Sequence, residues 1–211
     1  MKNTILILIS LLLFTGVSEG KEVSHLQNRN GVKYEVNSDV GFTGRLVKKY
    51  ENGQKKEVGN YKNDKEEGLW TTWYANGQKE SEGHFKYGYE EGLWTWWYEN
   101  GQKMCEKHLK LGKRHGLWTY WYENGQKESE GNYKDWEKDG LWVSWYENGQ
   151  KKDVGNYKNG KEEGLWNKWE ENGQKKYEEN YKDGKKDLWT RWVLFGKKIL
   201  EGIYKDDKLV K

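Results

Sequence analysis

From about residue 41 onward, short aromatic segments alternate with polar segments at a fixed interval. The tetrapeptide Asn-Gly-Gln-Lys begins at residues 52, 76, 100, 124, 148 and 172, always 24 residues apart. The dipeptide Leu-Trp begins at residues 69, 93, 117, 141, 165 and 188, so only its last interval is shorter. Such a regular period indicates a tandem-repeat architecture and carries more weight than any local pattern.

Each repeat is predicted to contain two strands and two turns. Residues 69–74 are rich in Trp, Thr and Tyr, which favour strands, and residues 79–85 form the return strand. Asn76-Gly77 is typical of a two-residue type I′ turn, because both central positions of that turn need positive φ. Residues 86–91 and their equivalents predict a longer, six-residue turn into the next repeat.

These two turns together predict a strand register. Trp70 pairs with Gly83 on the following strand and with Gly59 on the preceding one, while Tyr61 pairs with Gly68. Each such Trp, and each such Tyr or Phe, is thereby placed between glycines. We expect the rings to lie flat over glycine, because a glycine leaves its backbone bare.

The resulting fold class is all-β. The repeats predict an elongated, single-layer antiparallel sheet of tandem 24-residue β-hairpins, with about fourteen strands. No segment has the pattern of a helix that could cover either face. The fourteen Trp residues of the chain would therefore substitute for a conventional core, since stacked repeats bury jointly what one repeat cannot bury alone.

The first twenty residues have a different character. Lys2 precedes an almost unbroken apolar run over residues 5–14, and small residues follow. This pattern predicts a secretory signal peptide at residues 1–20, cleaved after Ser18 or after Gly20. Residues 21–40 would be an N-terminal lead segment and residues 41–211 the repeat domain. We expect the protein to be exported, to the periplasm, the cell envelope or the medium.

The charge balance narrows the classes of possible partner, and the cysteine count excludes an internal disulfide. The chain has 37 basic and 34 acidic residues, a net charge of +3, and no basic block. We therefore expect no nucleic-acid partner, and the modest charge also disfavours contact with membranes. Cys105 is the only cysteine, so an internal disulfide is impossible.

Residues 155–166 read GNYKNGKEEGLW, followed by Trp169 and by Asn-Gly-Gln-Lys at 172–175. This phrase closely resembles the MORN repeat in its second, bacterial-type variant, and the resemblance covers roughly residues 41–211. It implies an elongated β-sheet scaffold used for contact with proteins or membranes. Bacterial relatives often carry an antitoxin-like label, which implies an immunity-type partner of an exported toxin as one alternative.

No motif predicts catalysis, and we expect a protein that is not an enzyme and needs no cofactor. His84 and His108 lie one repeat apart, about 9.6 Å across two strands, which is too far for a ready metal pair. No third ligand is evident, so no metal site is predicted. Cys105 and His108 differ by three positions in a strand and would point to opposite faces.

Departures from the repeat consensus mark a candidate binding patch in the middle repeats. Trp96 and Tyr120 replace the residue equivalent to Thr72, and Lys107 replaces a glycine. The whole predicted patch comprises Tyr87, Tyr89, Trp96, Lys107, Tyr120 and Trp136. It could bind a protein loop or a sugar ring by stacking and cation–π contact. Alternatively, the repeat has drifted and Trp96 only fills space over Cys105.

The predicted register places Cys105 between Trp96 and Tyr120, and Lys107 between Trp94 and Trp118. Lys107 would lower the pKa of the thiol, whereas aromatic neighbours would raise it by desolvation. We expect this cysteine to be structural.

The function predicted from the sequence is that of an exported, non-catalytic repeat protein that binds another protein or acts as a scaffold. The alternatives are a glycan- or cell-wall-binding protein that uses the aromatic patch, and the immunity-type partner implied by the resemblance.

Overall fold

The computed structural model describes residues 21–193, 197–205 and 208–209, and among these residues it contains strands and turns but no helix. The strands are β1 (Glu22–Val23), β2 (Gln27–Arg29), β3 (Val32–Tyr34), β4 (Gly44–Lys49), β5 (Lys55–Lys62), β6 (Lys65–Trp73), β7 (Lys79–Lys86), β8 (Tyr89–Trp97), β9 (Lys103–Lys110), β10 (Lys113–Trp121), β11 (Lys127–Lys134), β12 (Glu137–Trp145), β13 (Lys151–Lys158), β14 (Lys161–Trp169), β15 (Lys175–Lys182), β16 (Lys185–Val193), β17 (Lys197–Lys205) and β18 (Lys208–Leu209).

Sixteen of these strands form one sheet with a linear strand order. From β4 to β18 each strand pairs antiparallel with the next one along the chain, whereas β1 pairs parallel with β4. Strands β2 and β3 form a separate hairpin in the lead segment. The predicted all-β, open sheet of tandem hairpins is confirmed. The expected signal peptide at residues 1–20 lies outside the described residues.

The predicted turn at Asn-Gly is wrong in type. The Tyr74 amide donates to the Gln78 carbonyl, and the Gly77 amide donates to the Tyr74 carbonyl, both at 2.9 Å. Gly77 has a φ of 87°, whereas Asn76 is not among the residues with positive φ. The connection is therefore a three-residue loop that ends in a left-handed glycine, rather than a two-residue type I′ turn.

The type I′ geometry lies instead at the other end of each hairpin. Asn63 and Asp64 have φ values of 50° and 62°, and they alone connect the paired ends of β5 and β6. The predicted six-residue turn is wrong, because β5 and β6 stay paired almost to their ends. As a result Tyr61 pairs with Glu66, not with the predicted Gly68.

Register shifts further along the strands restore much of the predicted pairing. One shift lies between Thr72 and Trp73 in the β6–β7 pair, and another lies opposite Gly59 in the β5–β6 pair. Trp70 consequently pairs with Gly83 as predicted. A bulge adds residues to one strand of a pair, so it compensates for a loop of different length.

Tryptophan rings lie over glycines, and always over the glycine of the preceding strand. The Trp70 indole covers Gly59, and a Cβ added at Gly59 would overlap the ring. The same relationship holds for Gly83 and Trp94, Gly131 and Trp142, and Gly155 and Trp166. Each of these indoles also donates its N–H to the carbonyl of the residue after that glycine, at 3.1–3.2 Å. The sequence-based expectation of ring-on-glycine packing is confirmed for these four tryptophans. It is wrong for Tyr and Phe, because no ring atom lies within 4 Å of a Cβ added at Gly68, Gly92, Gly140 or Gly164.

Ring contacts, edge-to-face except for the tilted Trp118–Tyr133 pair, link the buried tryptophans into a core. One series runs from Phe42 to Trp94, and a second runs from Trp118 to Tyr181. Leu109 separates the two, where other repeats have Tyr or Phe. We call the side of the sheet that carries this core the aromatic face. Edge-to-face ring pairs contribute roughly 0.5–1.5 kcal/mol each beyond their burial, so the series ties successive repeats together.

The three-residue loops are also tied to one another. The Tyr74 hydroxyl donates to the Trp97 carbonyl at 2.7 Å, and the Asn76 side-chain amide donates to the Glu99 carbonyl at 3.0 Å. The Asn76 side-chain oxygen accepts from the Gln78 amide at 2.9 Å. Equivalent bonds recur along the sheet, which explains physically why Tyr and Asn recur at this turn.

Candidate interaction surfaces

The six residues predicted to form one patch lie in two separate places. Trp96, Lys107 and Tyr120 lie on the aromatic face. Tyr87 and Trp136 lie in type I′ turns, and Tyr89 lies next to one. These turns follow one another along one long edge of the sheet, which is formed by strand ends and not by an outermost strand. Tyr89 and Trp96 occupy opposite ends of β8, about 23 Å apart at 3.3 Å per residue.

Lys107 lies among three aromatic rings on the aromatic face. Its ammonium nitrogen is 4.8 Å from the ring centroid of Trp96, 5.0 Å from that of Trp118 and 5.3 Å from that of Tyr120. The predicted pairing of Cys105 with Trp96 and Tyr120 is confirmed. We call the group of Trp96, Lys107, Trp118 and Tyr120 the Lys107 cage. Its rings attract the ammonium through their negative faces.

The cage takes the place of the glycine that other repeats use. Lys107 pairs with Trp94 and Trp118, as predicted. The Trp118 indole keeps its hydrogen bond to the His108 carbonyl, at 2.9 Å. Trp96 stacks on Trp94 with centroids 5.6 Å apart, and it packs against the core together with Tyr120. The three ring faces of the cage are therefore largely occupied by protein atoms.

Cys105 is buried below this cage, with 2% of its surface exposed. Burial raises the pKa of the thiol, and the nearby Lys107 ammonium only partly opposes this shift. A buried thiol that stays protonated is a poor nucleophile. The side chain therefore fills space between strands, in agreement with the structural role expected from the sequence.

Bulky apolar side chains project from three successive type I′ turns. Tyr87, Leu111 and Trp136 are 62%, 52% and 57% exposed. We call these three residues the turn row. Successive turns are two strands apart, about 9.6 Å, so the turn row extends over about 19 Å. Tyr89 is also exposed and lies beside it, next to Gly112 of the following turn.

The backbone conformation of the turn row is unfavourable for such residues. Their φ values are 54°, 51° and 79°, in the left-handed region. The other turns of the repeat array place Asn, Asp or Gly at these positions, namely Asn63, Asp64, Asn159, Gly160, Asp183 and Gly184. A bulky residue there costs roughly 1–2 kcal/mol. Because the turn-row side chains are exposed, little burial offsets this cost, so their presence points to function.

Leu111 is the member of the turn row that sequence reasoning missed. It follows Tyr87 by 24 residues and occupies the same position of the next turn. The repeat period was the signal that could have identified Leu111. A leucine in a polar segment is a weaker departure from the repeat pattern than an added aromatic residue.

A scan against protein families matches the chain to the MORN repeat variant, over residues 42–63, 66–87, 90–110, 114–135, 138–159 and 162–183. The chain belongs to this family. A search of curated proteins finds no match. MORN repeats are generally non-catalytic modules that bind proteins or membranes. The family predicted from the sequence is thus confirmed.

The MORN repeats also enclose a shallow cavity of about 330 Å³ on the aromatic face. Its lining includes Ser144, Asp153, Tyr157, Trp166 and Lys168, so it combines hydroxyl, charged and aromatic groups. Lys138 borders it, and burial lowers the pKa of that ammonium. The cavity begins beside the Lys107 cage, at Ser129, which pairs with Tyr120, and it extends from there into the C-terminal repeats.

Within the described residues of this MORN protein, no cluster of three or more His, Cys, Asp or Glu side chains could hold a metal ion. The same residues include no helix with the length and hydrophobicity needed to cross a membrane.

Proposed function

We propose that this chain is an exported, non-catalytic MORN-repeat protein that binds another protein through its turn row. The observation that carries the proposal is the exposure of Tyr87, Leu111 and Trp136 in left-handed turn positions. These residues do not belong to the buried core. Aromatic residues are enriched at protein interfaces, where they supply a large contact area at low entropic cost.

The geometry of the turn row suits a protein partner. Its three turns are held by the sheet at fixed spacing, so the apolar side chains are presented in a preorganised line. Preorganised contacts lose little entropy on binding. The ammonium nitrogen of Lys113 lies 3.9 Å from the ring centroid of Trp136. Lys113 thus adds a cation to the same surface.

Export is the second part of the proposal, and it rests on the sequence of residues 1–20. Amino-terminal sequencing of the chain purified from cells is the direct test. We expect the mature chain to begin at residue 19 or residue 21. Recovery of a chain that still begins at Met1 from the cytoplasm would contradict export while leaving the binding surface in place.

The binding surface is tested by site-specific photo-crosslinking in the native cell. A photoreactive phenylalanine analogue replaces Tyr89 beside the turn row, and Ala75 in a three-residue loop is the matched exposed control on the opposite edge. The test variant is Tyr87→Asn/Leu111→Asn/Trp136→Gly, which installs residues that this chain uses in its other turns.

We expect one protein to crosslink from position 89, to be absent at position 75, and to disappear in the triple variant. Equal crosslinking from both positions, or crosslinking that survives the triple variant, would refute the turn row as the interface. The crosslinked product would also show whether the partner is a toxin, as the immunity-type alternative requires.

A glycan-binding function is the second candidate, favoured by the mixture of polar and aromatic groups around the 330 Å³ cavity. The Lys107 cage supports it less, because the cage rings already contact Lys107 and the core. Pull-down of cell-wall fragments separates the two sites. Loss of binding in Trp96→Ala/Tyr120→Ala assigns the cage, whereas loss only in Lys168→Ala assigns the cavity.

A further inference from the structure

The type I′ turns of the repeat array are normally held by two hydrogen bonds from the preceding repeat. In the first bond, the amide of the first turn residue donates to a carboxylate twenty residues earlier. Tyr87 donates to Glu67 at 3.0 Å, and Leu111 donates to Glu91 at 2.8 Å. Asp183 donates in the same way to Glu163.

In the second bond, the amide of the next turn residue donates to a backbone carbonyl. Gly88 donates to Glu66 at 3.0 Å, and Gly112 donates to Glu90 at 2.8 Å. The turns at Gly160 and Gly184 form the same bond.

The turn formed by Asp135 and Trp136 is the exception. Within the described part of the repeat array, it is the one type I′ turn for which neither bond is formed. Position 115, which would supply the carboxylate, is His115 instead of Glu or Asp. Two adjacent backbone amides are therefore left without a protein acceptor, in a left-handed turn of the kind that binds anions.

The charges around this turn also differ from those of its neighbours. The preceding turn segment, residues 110–115, contains Lys110, Lys113 and Arg114 and no carboxylate. Over segments 110–115 and 134–139 together, five Lys and Arg residues face three carboxylates, those of Asp135, Glu137 and Asp139. The local balance is thus positive, which favours a negatively charged ligand.

We propose that the Asp135–Trp136 turn binds a carboxylate from an acidic segment of the partner polypeptide, while Leu111 and Trp136 contact an apolar residue next to it. The inference rests on the proposed protein-binding function and specifies the chemistry of the partner. A carboxylate is favoured over other anions because three sister turns, those at Tyr87, Leu111 and Asp183, bind a carboxylate of this chain at the same amide. An Asp or Glu of the partner would supply the carboxylate that this turn lacks because residue 115 is His.

The test uses a random dodecapeptide library displayed on phage, selected on the purified chain and, in a separate selection, on His115→Glu. That variant restores the carboxylate that the sister turns possess. Asn63→Asp is the matched control, because it adds one negative charge to the same edge at a position where Asp135 and Asp183 show that aspartate is accommodated. Selected peptides are measured by fluorescence anisotropy, and the Asp135 amide is followed by NMR.

We expect enriched peptides to carry Asp or Glu beside an aromatic or aliphatic residue. His115→Glu and a Glu→Gln peptide should each weaken binding about tenfold, as for loss of a charge-assisted hydrogen bond. Asn63→Asp should leave the affinity within about twofold, since a single charge three repeats away is largely screened. The peptide should shift the Asp135 amide resonance.

Peptides that lack acidic residues, or that bind His115→Glu equally well, would overturn the inference. Phosphatidylglycerol vesicles form a second arm, and capture of vesicles without acidic peptides would assign the site to lipid phosphate and overturn it too. Crosslinking from position 89 that is unaffected by His115→Glu would leave the proposed function standing and refute only the carboxylate site. Acidic peptide binding without any cellular crosslink would support the carboxylate site and refute the proposed binding of a cellular protein through the turn row.

Discussion

The indole of Trp166 lies flat on Gly155 of the neighbouring strand, so that any Cβ at Gly155 would overlap the ring. The same contact recurs along the sheet, and the indole N–H of Trp166 reaches the Asn156 carbonyl at 3.2 Å. In a single-layer sheet this contact buries a tryptophan without a second layer. Trp166 is only 7% exposed as a result.

Gly155→Ala is expected to destabilise the protein by about 1–3 kcal/mol, as overpacking does elsewhere. The methyl group must displace the Trp166 ring or bend the strand. Urea denaturation measures the loss, and Asn156→Ala at the adjacent exposed position is the control. Equal stability of Gly155→Ala and wild type would show that the ring is not held against the backbone.

Leu111→Asn is expected to raise the free energy of unfolding by about 1 kcal/mol, because asparagine tolerates the left-handed conformation better than leucine. The stabilisation should accompany weaker partner binding, as expected of a residue kept for function at a cost in stability. Thermal and urea denaturation provide the measurement. Lys110→Asn, next to it in sequence, should bring no gain, and a destabilised Leu111→Asn would mean that Leu111 packs.

Lys107→Met is expected to cost about 1–2 kcal/mol of stability, since it keeps the aliphatic stem but removes the charge from three ring faces. Lys110→Met provides the comparison, because Lys110 is exposed and outside the cage. Chemical denaturation of the two variants side by side gives the difference. If the two variants have the same stability, the ammonium contributes nothing to the cage.

Alkaline pH is expected to destabilise the fold through its half-buried tyrosines. Burial raises the pKa of Tyr120 from 10.0 to about 12, so the folded protein disfavours the ionised form. The stability from this group is complete below pH 10 and is lost as the pH rises through about 12. Tyr120→Phe should flatten the dependence of unfolding free energy on pH between these values, and an unchanged slope would contradict this.

Tyr122→Phe is expected to lower stability by about 1 kcal/mol, the usual net value of one hydrogen bond. The lost bond is from the Tyr122 hydroxyl to the Trp145 carbonyl, at 2.8 Å. Tyr87→Phe is the matched control, because the Tyr87 side chain is exposed at a turn. Equal midpoints for the two variants in urea would show that the loop-to-loop bonds are not stabilising.

The predicted binding patch shows where reasoning from sequence reached its limit. The period and the strand register were sufficient to place Lys107 between Trp94 and Trp118, because local alternation fixes which side chains share a face. They were not sufficient to show how far Trp96 lies from Tyr89. The sequence placed Tyr89 in a six-residue turn, whereas in the structure β8 already begins at Tyr89. Sequence reasoning also missed the two amides of the Asp135–Trp136 turn that have no protein acceptor. The hydrogen bonds that the other turns form at these amides connect residues twenty or more positions apart.

The sequence by itself determined the repeat period, the all-β class, the strands and the pairing of Trp70 with Gly83. Each of these follows from the spacing of aromatic residues and glycines. The tertiary structure alone decided which turn is type I′, and that the indoles of Trp70, Trp94, Trp142 and Trp166 cover the glycine of the preceding strand. The physical reason is that a loop of altered length and a compensating bulge give the same strand register, so the spacing of residues cannot distinguish the two arrangements.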